Sequence, residues 1–253
     1  MCAYLSTPEI FGIRFVSHDK EALLQMLTTR IQQQQKSLIL SGNIHAFNLA
    51  YEQPWLRDFF NRADFVRVDG NGLRLGARLL GYSLPQRMTW ADFMWDLAAF
   101  AEPQRYRFFF LGGRPGVAAA AAARLQHHHP QLQIVHCHDG YFNKTPQHPE
   151  NESLLRRINS YQPDILIVGM GMPVQERWIC DNWDQLNATI TMTAGAVFDY
   201  ISGQVQRPAP IFTHTGFEWL GRFLTEPRRL WQRYLIGNPQ FFWRILKQRL
   251  GYF

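Results

Sequence analysis

Six short apolar runs, alternating with stretches of helical character, constrain this chain more than any other feature of its sequence. Ser37-Leu-Ile-Leu40, Phe65-Val-Arg-Val68, Phe108-Phe-Phe-Leu111, Gln133-Ile-Val-His136, Ile165-Leu-Ile-Val168 and Thr189-Ile-Thr-Met192 are too short for buried helices. They are also mostly too continuous to leave one face wet, so they read as strands covered on both sides. Between them lie helix-like segments near residues 45 to 61, 71 to 80, 90 to 101, 115 to 126, 150 to 160 and 174 to 186. Such alternation predicts an α/β fold, Rossmann-like, with a mainly parallel sheet and helices on both faces. Arg207-Pro-Ala-Pro210 has the composition of a linker. The expected organisation is an α/β domain over residues 1–210 and a helical, basic and aromatic appendage over 211–253. No internal repeat is present.

The appendage holds most of the net charge. From Gly216 to Phe253 the cations Arg222, Arg228, Arg229, Arg233, Arg244, Lys247 and Arg249 face only Glu218 and Glu226, which is +5 of the whole-chain +6. Interleaved with them are ten rings: Phe217, Trp219, Phe223, Trp231, Tyr234, Phe241, Phe242, Trp243, Tyr252 and Phe253. Cations beside large rings suit an anionic membrane surface, where rings sit at headgroup depth and Arg or Lys meet phosphate. Arg229 and Arg233, four residues apart, share a helix face, as do Trp219 and Phe223. Two other readings stay open on composition: a helical segment packing its rings on the body, and a single-strand nucleic-acid binder.

In open parallel sheets ligands bind beyond the carboxyl ends of the strands. Here those positions carry Ser41-Gly42-Asn43, Asp69-Gly70-Asn71-Gly72, Gly112-Gly113-Arg114-Pro115-Gly116, Gly169-Met-Gly-Met-Pro-Val-Gln-Glu176, and Gly195 with Phe198 and Asp199. Several glycine-bearing turns at corresponding strand ends would present backbone N–H groups and helix N-termini to phosphate or pyrophosphate. Each turn by itself is equally a tight connection. Asp69 follows an apolar strand and precedes a glycine, so it is either a general base or the cap of the next helix. Arg87 is either a partner for phosphate or a sugar acid, or a surface arginine. Gln175 is placed to bond a sugar hydroxyl, while Glu176 and Arg177 read by themselves as first-turn helix residues. His127-His-His129 reads as a solvated helix end. In His136-Cys137-His138-Asp139, strand alternation separates Cys137 from the two histidines, which weakens a metal reading.

Several classes are disfavoured. No G-x-G-x-x-G or Walker sequence is present, so a nicotinamide oxidoreductase or P-loop enzyme lacks its signature. Three cysteines, Cys2, Cys137 and Cys180, give no disulfide framework and fit a reducing compartment. The N-terminus lacks the regions of a signal peptide, and no window approaches the roughly 20 apolar residues of a membrane span. A cytoplasmic chain, touching the inner face of the membrane peripherally, is expected.

Taken in order, Ser41-Gly-Asn43, Ala63-Asp-Phe-Val-Arg-Val-Asp-Gly70, Leu84-Pro-Gln-Arg87, Phe110-Leu-Gly-Gly-Arg-Pro-Gly116, Asp139-Gly-Tyr-Phe142, Val168-Gly-Met-Gly-Met-Pro-Val-Gln-Glu176, Gly195 through Pro210, and Gly216-Phe-Glu-Trp-Leu with Thr225-Glu-Pro-Arg-Arg-Leu-Trp231 form a specific set. With that set the chain resembles the WecG/TagA/CpsF glycosyltransferases of bacterial cell-surface polysaccharide synthesis. The resemblance implies transfer of a sugar from a UDP donor to a polyprenyl-pyrophosphate-linked sugar, with inversion and without a cofactor or metal. It implies N-acetylmannosamine as the sugar moved and lipid-linked N-acetylglucosamine as acceptor, with UDP-glucose or an N-acetylmannosaminuronic acid donor as alternatives. It makes Asp69 the base, places Ser41, Asn43, Arg87, Asp92, Gly113, Gln175 and Glu176 around the substrates, and assigns Arg222, Arg229 and Arg233 to the lipid pyrophosphate or the leaving UDP.

The chain departs from the family pattern at two places. Ser41-Gly42-Asn43 stands where Thr-Pro-Asn is usual, and Met88-Thr-Trp-Ala-Asp92 replaces a small Ala-Gly-Ser-Asp type run, which sets bulky Trp90 where a glycine would line a sugar pocket. A nucleotide-sugar-binding membrane module without turnover is the rival from another class. No nucleic-acid partner is expected, and a homo-oligomer is left open.

Overall fold

A computed structural model describes residues 7–205, 220, 223–224 and 227–252 of the chain. It contains a six-stranded sheet flanked by helices. With strands numbered along the chain, the order across the sheet is β4-β3-β8-β7-β5-β6, with β3 Ser37–Gly42, β4 Phe65–Val68, β5 Arg107–Gly112, β6 Gln133–His138, β7 Ile165–Gly169 and β8 Ile190–Thr193. The pairs β3/β8, β8/β7, β7/β5 and β5/β6 are parallel. All six runs read as strands from sequence are strands, and the α/β fold class holds.

The chain divides into two compact units. The second comprises residues 19–40 and 89–205. It holds α1 (Lys20–Gln32), α5 (Trp90–Gln104), α6 (Val117–His128), α7 (Pro149–Tyr161), α8 (Val174–Asn182) and α9 (Val197–Ser202). In β5 successive phenylalanines go to opposite faces, as strand geometry requires. Phe110 meets Phe198 of α9 at 5.0 Å between ring centroids, and Phe109 meets Tyr161 of α7 at 6.1 Å. Both faces are therefore covered, and β5 from Phe108 to Leu111 has 0% exposure. The edge strand β6 is the exception: all six of its residues are half-buried, whereas β4 at the other edge is buried throughout.

The first unit comprises the described residues of 1–18, 41–88 and 206–253. Its hairpin, β1 (Glu9–Ile10) and β2 (Ile13–Arg14), turns on Phe11 and Gly12, both at positive φ, the backbone a two-residue hairpin of right-handed twist needs. The helical stretch expected over 45–61 is two helices, α2 (Ile44–Glu52) and α3 (Pro54–Asn61). Pro54 has no N–H to donate and forces Gln53 out of the helical region, to φ −121° and ψ 100°. After β4 comes α4 (Asn71–Leu79), which starts behind Gly70 at φ +117°.

The described part of the tail belongs to this first unit. It forms α10 (Pro227–Trp231), a wide turn of π-helix over Gln232–Ile236, and α11 (Gly237–Arg249). Helix α11 lies on α2 and α4, and Phe241 and Ile245 have 0% exposure. A Cβ on Gly76 of α4 would stand 2.5 Å from the Phe241 ring, so only glycine lets these helices approach so closely. Arg244, counted by composition among the surface cations, is buried. Its guanidinium donates to the Asn48 carbonyl and side-chain oxygens at 3.2 and 3.1 Å, pairs with Glu52, and lies 4.2 Å over the Tyr51 ring. One face of the tail helix is thus core. The linker stretch Arg207–Pro210, the Gly216–Leu220 motif apart from Leu220, and Arg222 lie outside the described residues, as does the side chain of Arg229.

Candidate active site

In the first unit the carboxyl ends of β3 and β4 carry Ser41, Asn43 and Asp69. The Asp69 N–H donates to the Gly42 carbonyl at 2.8 Å, which fixes the two strand ends beside each other. The Met88 N–H donates to the Val68 carbonyl at 2.8 Å, which brings half-buried Arg87 alongside the end of β4. Asp69 is not a helix cap: the residue before α4 is Gly70, and no side chain caps that helix. The Asp69 side chain is 31% exposed. A Cβ built on Gly70 meets no atom within 4 Å beyond its chain neighbours, so the space at Gly70, next along the chain, is open.

Ser41 and Asn43 are more engaged than their sequence reading expects. Ser41 is 5% exposed, and its Oγ accepts from Arg67 Nη2 at 2.9 Å. Asn43 caps α2, its Oδ1 accepting from the Ala46 N–H at 3.0 Å. Two residues on, burial and the positive charge of Arg233 push the His45 pKa down to about 4, against a smaller opposing effect of Glu52. Arg233, one of the tail arginines assigned to substrate, is therefore placed near the start of α2.

In the second unit three strand ends meet through glycine backbones. Gly112 has φ +140°, and a Cβ there would lie 2.1 Å from the Gly169 carbonyl oxygen, an impossible approach. A Cβ on Gly169 would lie 2.9 Å from the Gly195 carbonyl oxygen. Gly113, at φ +71°, donates its N–H to the Gly169 carbonyl at 3.0 Å and accepts from the Gly140 N–H at 2.9 Å. Glycine at these positions is thus required by packing as well as by any ligand.

Gln175 and Glu176 open α8 and are both buried. Gln175 Oε1 accepts from the Gly195 N–H at 3.0 Å, and its Nε2 donates to Glu176 Oε1 at 2.7 Å. Each of these Gln175 atoms keeps one further hydrogen-bonding position, one lone pair on Oε1 and one N–H on Nε2. Asp92, in the first turn of α5, is exposed and accepts from the Thr89 hydroxyl at 2.8 Å. Trp90 does not line an open pocket. It is 5% exposed, packs on Phe93 at 5.5 Å, and donates its indole N–H to the Thr193 carbonyl at 2.9 Å. The bulk that replaces a small family residue fills core. In the histidine-rich stretches, His136 stacks on Tyr161, His129 meets Glu102, and burial pushes the Cys137 thiol up to about 11. Among the described residues no three His, Cys, Asp or Glu side chains gather to hold a metal ion.

The sequence profile of the glycosyl transferase WecG/TagA/CpsF family matches residues 8–252. The chain belongs to this family. As a WecG/TagA/CpsF glycosyltransferase it is similar to the N-acetylglucosaminyldiphosphoundecaprenol N-acetyl-beta-D-mannosaminyltransferases of Staphylococcus aureus strains NCTC 8325, COL and MSSA476. Identity to each is 28% over 246 residues, which is 95% of this chain and 92% of the relative. No helix among the described residues of this glycosyltransferase is long and apolar enough to cross a membrane.

Two charged residues of this glycosyltransferase carry more than their sequence positions suggest. Arg67 interrupts an apolar strand, and its burial beside Asp69 was legible only as an oddity in that run. Glu176 reads as an ordinary first-turn acid, yet burial pushes its pKa up to about 7, against smaller opposing effects of the Gln175 hydrogen bond and its own backbone. Its Oε2 has no hydrogen-bond partner among the described residues. A carboxyl whose folded pKa lies above its ordinary 4.5 holds its proton in the folded state, so stability is greatest below that value and is lost as pH rises towards 7 and beyond. Glu176→Gln supplies a neutral group of the same shape. It is expected to match the parent near pH 5 and exceed it at pH 8, by up to about 3 kcal/mol at 1.36 kcal/mol per pKa unit. Urea midpoints of both proteins across that range measure it; a constant difference would show that Glu176 does not change protonation on unfolding.

Proposed function

We propose that this glycosyltransferase moves N-acetylmannosamine from UDP-N-acetylmannosamine, with inversion, onto N-acetylglucosamine carried by a polyprenyl pyrophosphate. The observation that carries the catalytic part is Asp69: a partly exposed carboxylate at a strand end, beside open space at Gly70, with no capping duty. The sugar pair and the lipid carrier rest on the activity named for the Staphylococcus aureus relatives.

In this reading the acceptor hydroxyl gives its proton to Asp69 as its oxygen bonds the anomeric carbon. The bond from that carbon to the UDP phosphate oxygen breaks, and its electron pair leaves with UDP. A single displacement inverts the anomeric centre. Negative charge grows on the departing pyrophosphate and is taken up by arginines, Arg87 and Arg233 among them, and by backbone N–H groups at the strand-end turns, without a metal ion. The acceptor's lipid stays in a bilayer, and the tail supplies a fitting surface. Trp243 and Leu246 of α11, Leu250 just after it, and Leu235 and Ile236 of the wide turn are exposed apolar residues, flanked by exposed Arg228 and Arg249. Such a surface suits peripheral docking on an anionic membrane.

The test offers UDP-N-acetylmannosamine, UDP-glucose and UDP-N-acetylmannosaminuronic acid separately, with a short-chain polyprenyl-pyrophosphate-linked N-acetylglucosamine, and identifies products by mass. Addition of one N-acetylhexosamine from the first donor alone is expected. Transfer only from one of the others would overturn the donor, and turnover of none would favour a binding module.

A further inference from the structure

All four residues of β4, Phe65-Val-Arg-Val68, are buried, and the third is an arginine 1% exposed. Val66 lies on the face covered by α2 and α4: a Cβ on neighbouring Gly42 would stand 2.7 Å from Val66, 3.1 Å from Phe47 and 3.3 Å from Leu73. Strand alternation sends Arg67 to the opposite face, together with Asp69 two residues on. A strand that served only the core would gain nothing from a cation there, because replacing buried ionic groups by apolar residues of similar volume is often neutral or stabilising. The guanidinium reaches two groups already placed in the candidate site. Arg67 Nη2 donates to Ser41 Oγ at 2.9 Å and stands 3.8 Å from Asp69 Oδ2. Burial pushes the Arg67 pKa down to about 10, with Asp69 opposing, so the side chain remains a cation at neutral pH.

We propose that Arg67 is a positioning residue for glycosyl transfer, a single buried guanidinium that sets both the Ser41 hydroxyl and the Asp69 carboxylate. The assignment rests on the reading of Asp69 as the base. Because Ser41 Oγ accepts from Arg67, the serine proton points away from the guanidinium. Because the cation lies on one side of Asp69, the carboxylate is held towards β4 rather than sweeping through its rotamers. A general base acts only within hydrogen-bond reach of the proton it takes, and displacing a reacting group by about 1 Å costs on the order of a hundredfold in rate.

Arg67→Met and Arg67→Lys, made in the full chain, separate positioning from packing. Thermal unfolding is followed beside kcat and KM with the short-chain acceptor. Arg67→Met removes one partner of the Asp69 pair, but Asp69 is 31% exposed and stays hydrated, so the unfolding temperature is expected to fall only modestly while the protein folds. Its kcat should fall by roughly a hundredfold with donor KM nearly unchanged. Arg67→Lys keeps the charge but cannot reproduce the planar fork, so its kcat should lie between the two. If Arg67→Met does not fold, Arg67→Lys carries the test. Parental kcat in either folded variant overturns the proposal, as does a fall in unfolding temperature with parental turnover per folded molecule. Asp69→Asn is measured in parallel. If it retains parental turnover, the base reading fails and this proposal with it; if it is inactive while both Arg67 variants match the parent, only the Arg67 assignment fails.

Discussion

Asp69→Asn is expected to remain folded and to lose turnover by about a hundredfold to ten-thousandfold, the range general-base removal usually spans. The expectation follows from what the side chain does and does not do. It caps no helix, since Gly70 precedes α4 without a side-chain bond. It is 31% exposed, and among the described residues it faces the Arg67 cation at 3.8 Å. The amide keeps a carbonyl oxygen facing Arg67, and water reaches the site, so the stability lost should stay below the 3–5 kcal/mol typical of breaking a fully buried pair. Turnover at saturating donor and acceptor, with circular dichroism to confirm folding, makes the measurement. Parental turnover would reduce Asp69 to a counter-charge for Arg67 and remove the base from the proposed reaction.

How much of this was legible in sequence depended on whether a signal was local. The six strands were, because continuous apolar runs of this length have few alternatives, and only β6, at the sheet edge, is wetter than its run suggested. The division between α2 and α3 was written in Pro54 but outweighed by helical periodicity on both sides. Helix α1 escaped because it buries only Leu23 and Leu27 of its thirteen residues and so shows little apolar rhythm. The tail misleads for a different reason: composition sums the two faces of a helix. In α11 and the residue that follows it, the buried Phe241, Arg244 and Ile245 and the exposed Trp243, Leu246 and Leu250 are interleaved in sequence and separate only in three dimensions. Asp69 stood out because a carboxylate ends an apolar run. The engagement of Gln175 could not be seen, since its oxygen accepts from the N–H of Gly195, twenty residues on.

Removal of residues 237–253 is expected to unfold the first unit and not simply to uncouple the enzyme from its lipid. Reading the tail as an appendage, with a boundary at 210, leads to the opposite expectation, a truncated domain that folds and fails only on lipid-linked acceptor. The packing supports the first expectation. Phe241 and Ile245 are wholly buried, and Phe241 meets the wholly buried Phe11 ring at 5.4 Å and fills the space against Gly76. Truncating one buried phenylalanine to alanine typically costs 3–5 kcal/mol. Domains of ordinary size are stable by about 5–15 kcal/mol, so losing both side chains along with the Arg244 bonds to Asn48 should exhaust the margin. Phe241→Ala alone should therefore lower the urea midpoint sharply. The opposite face of the same helix gives the control. Serine at Trp243, Leu246 and Leu250, which are 58%, 44% and 62% exposed, should leave the midpoint nearly unchanged, because surface substitutions usually fall within about 0.5 kcal/mol each. The same triple variant should sediment poorly with anionic vesicles and turn over long-chain acceptor slowly while keeping its rate on a short-chain one. A deletion protein that unfolds at the parental midpoint would show that α11 is dispensable to the core, and an unchanged vesicle affinity in the triple variant would move membrane contact elsewhere on the molecule.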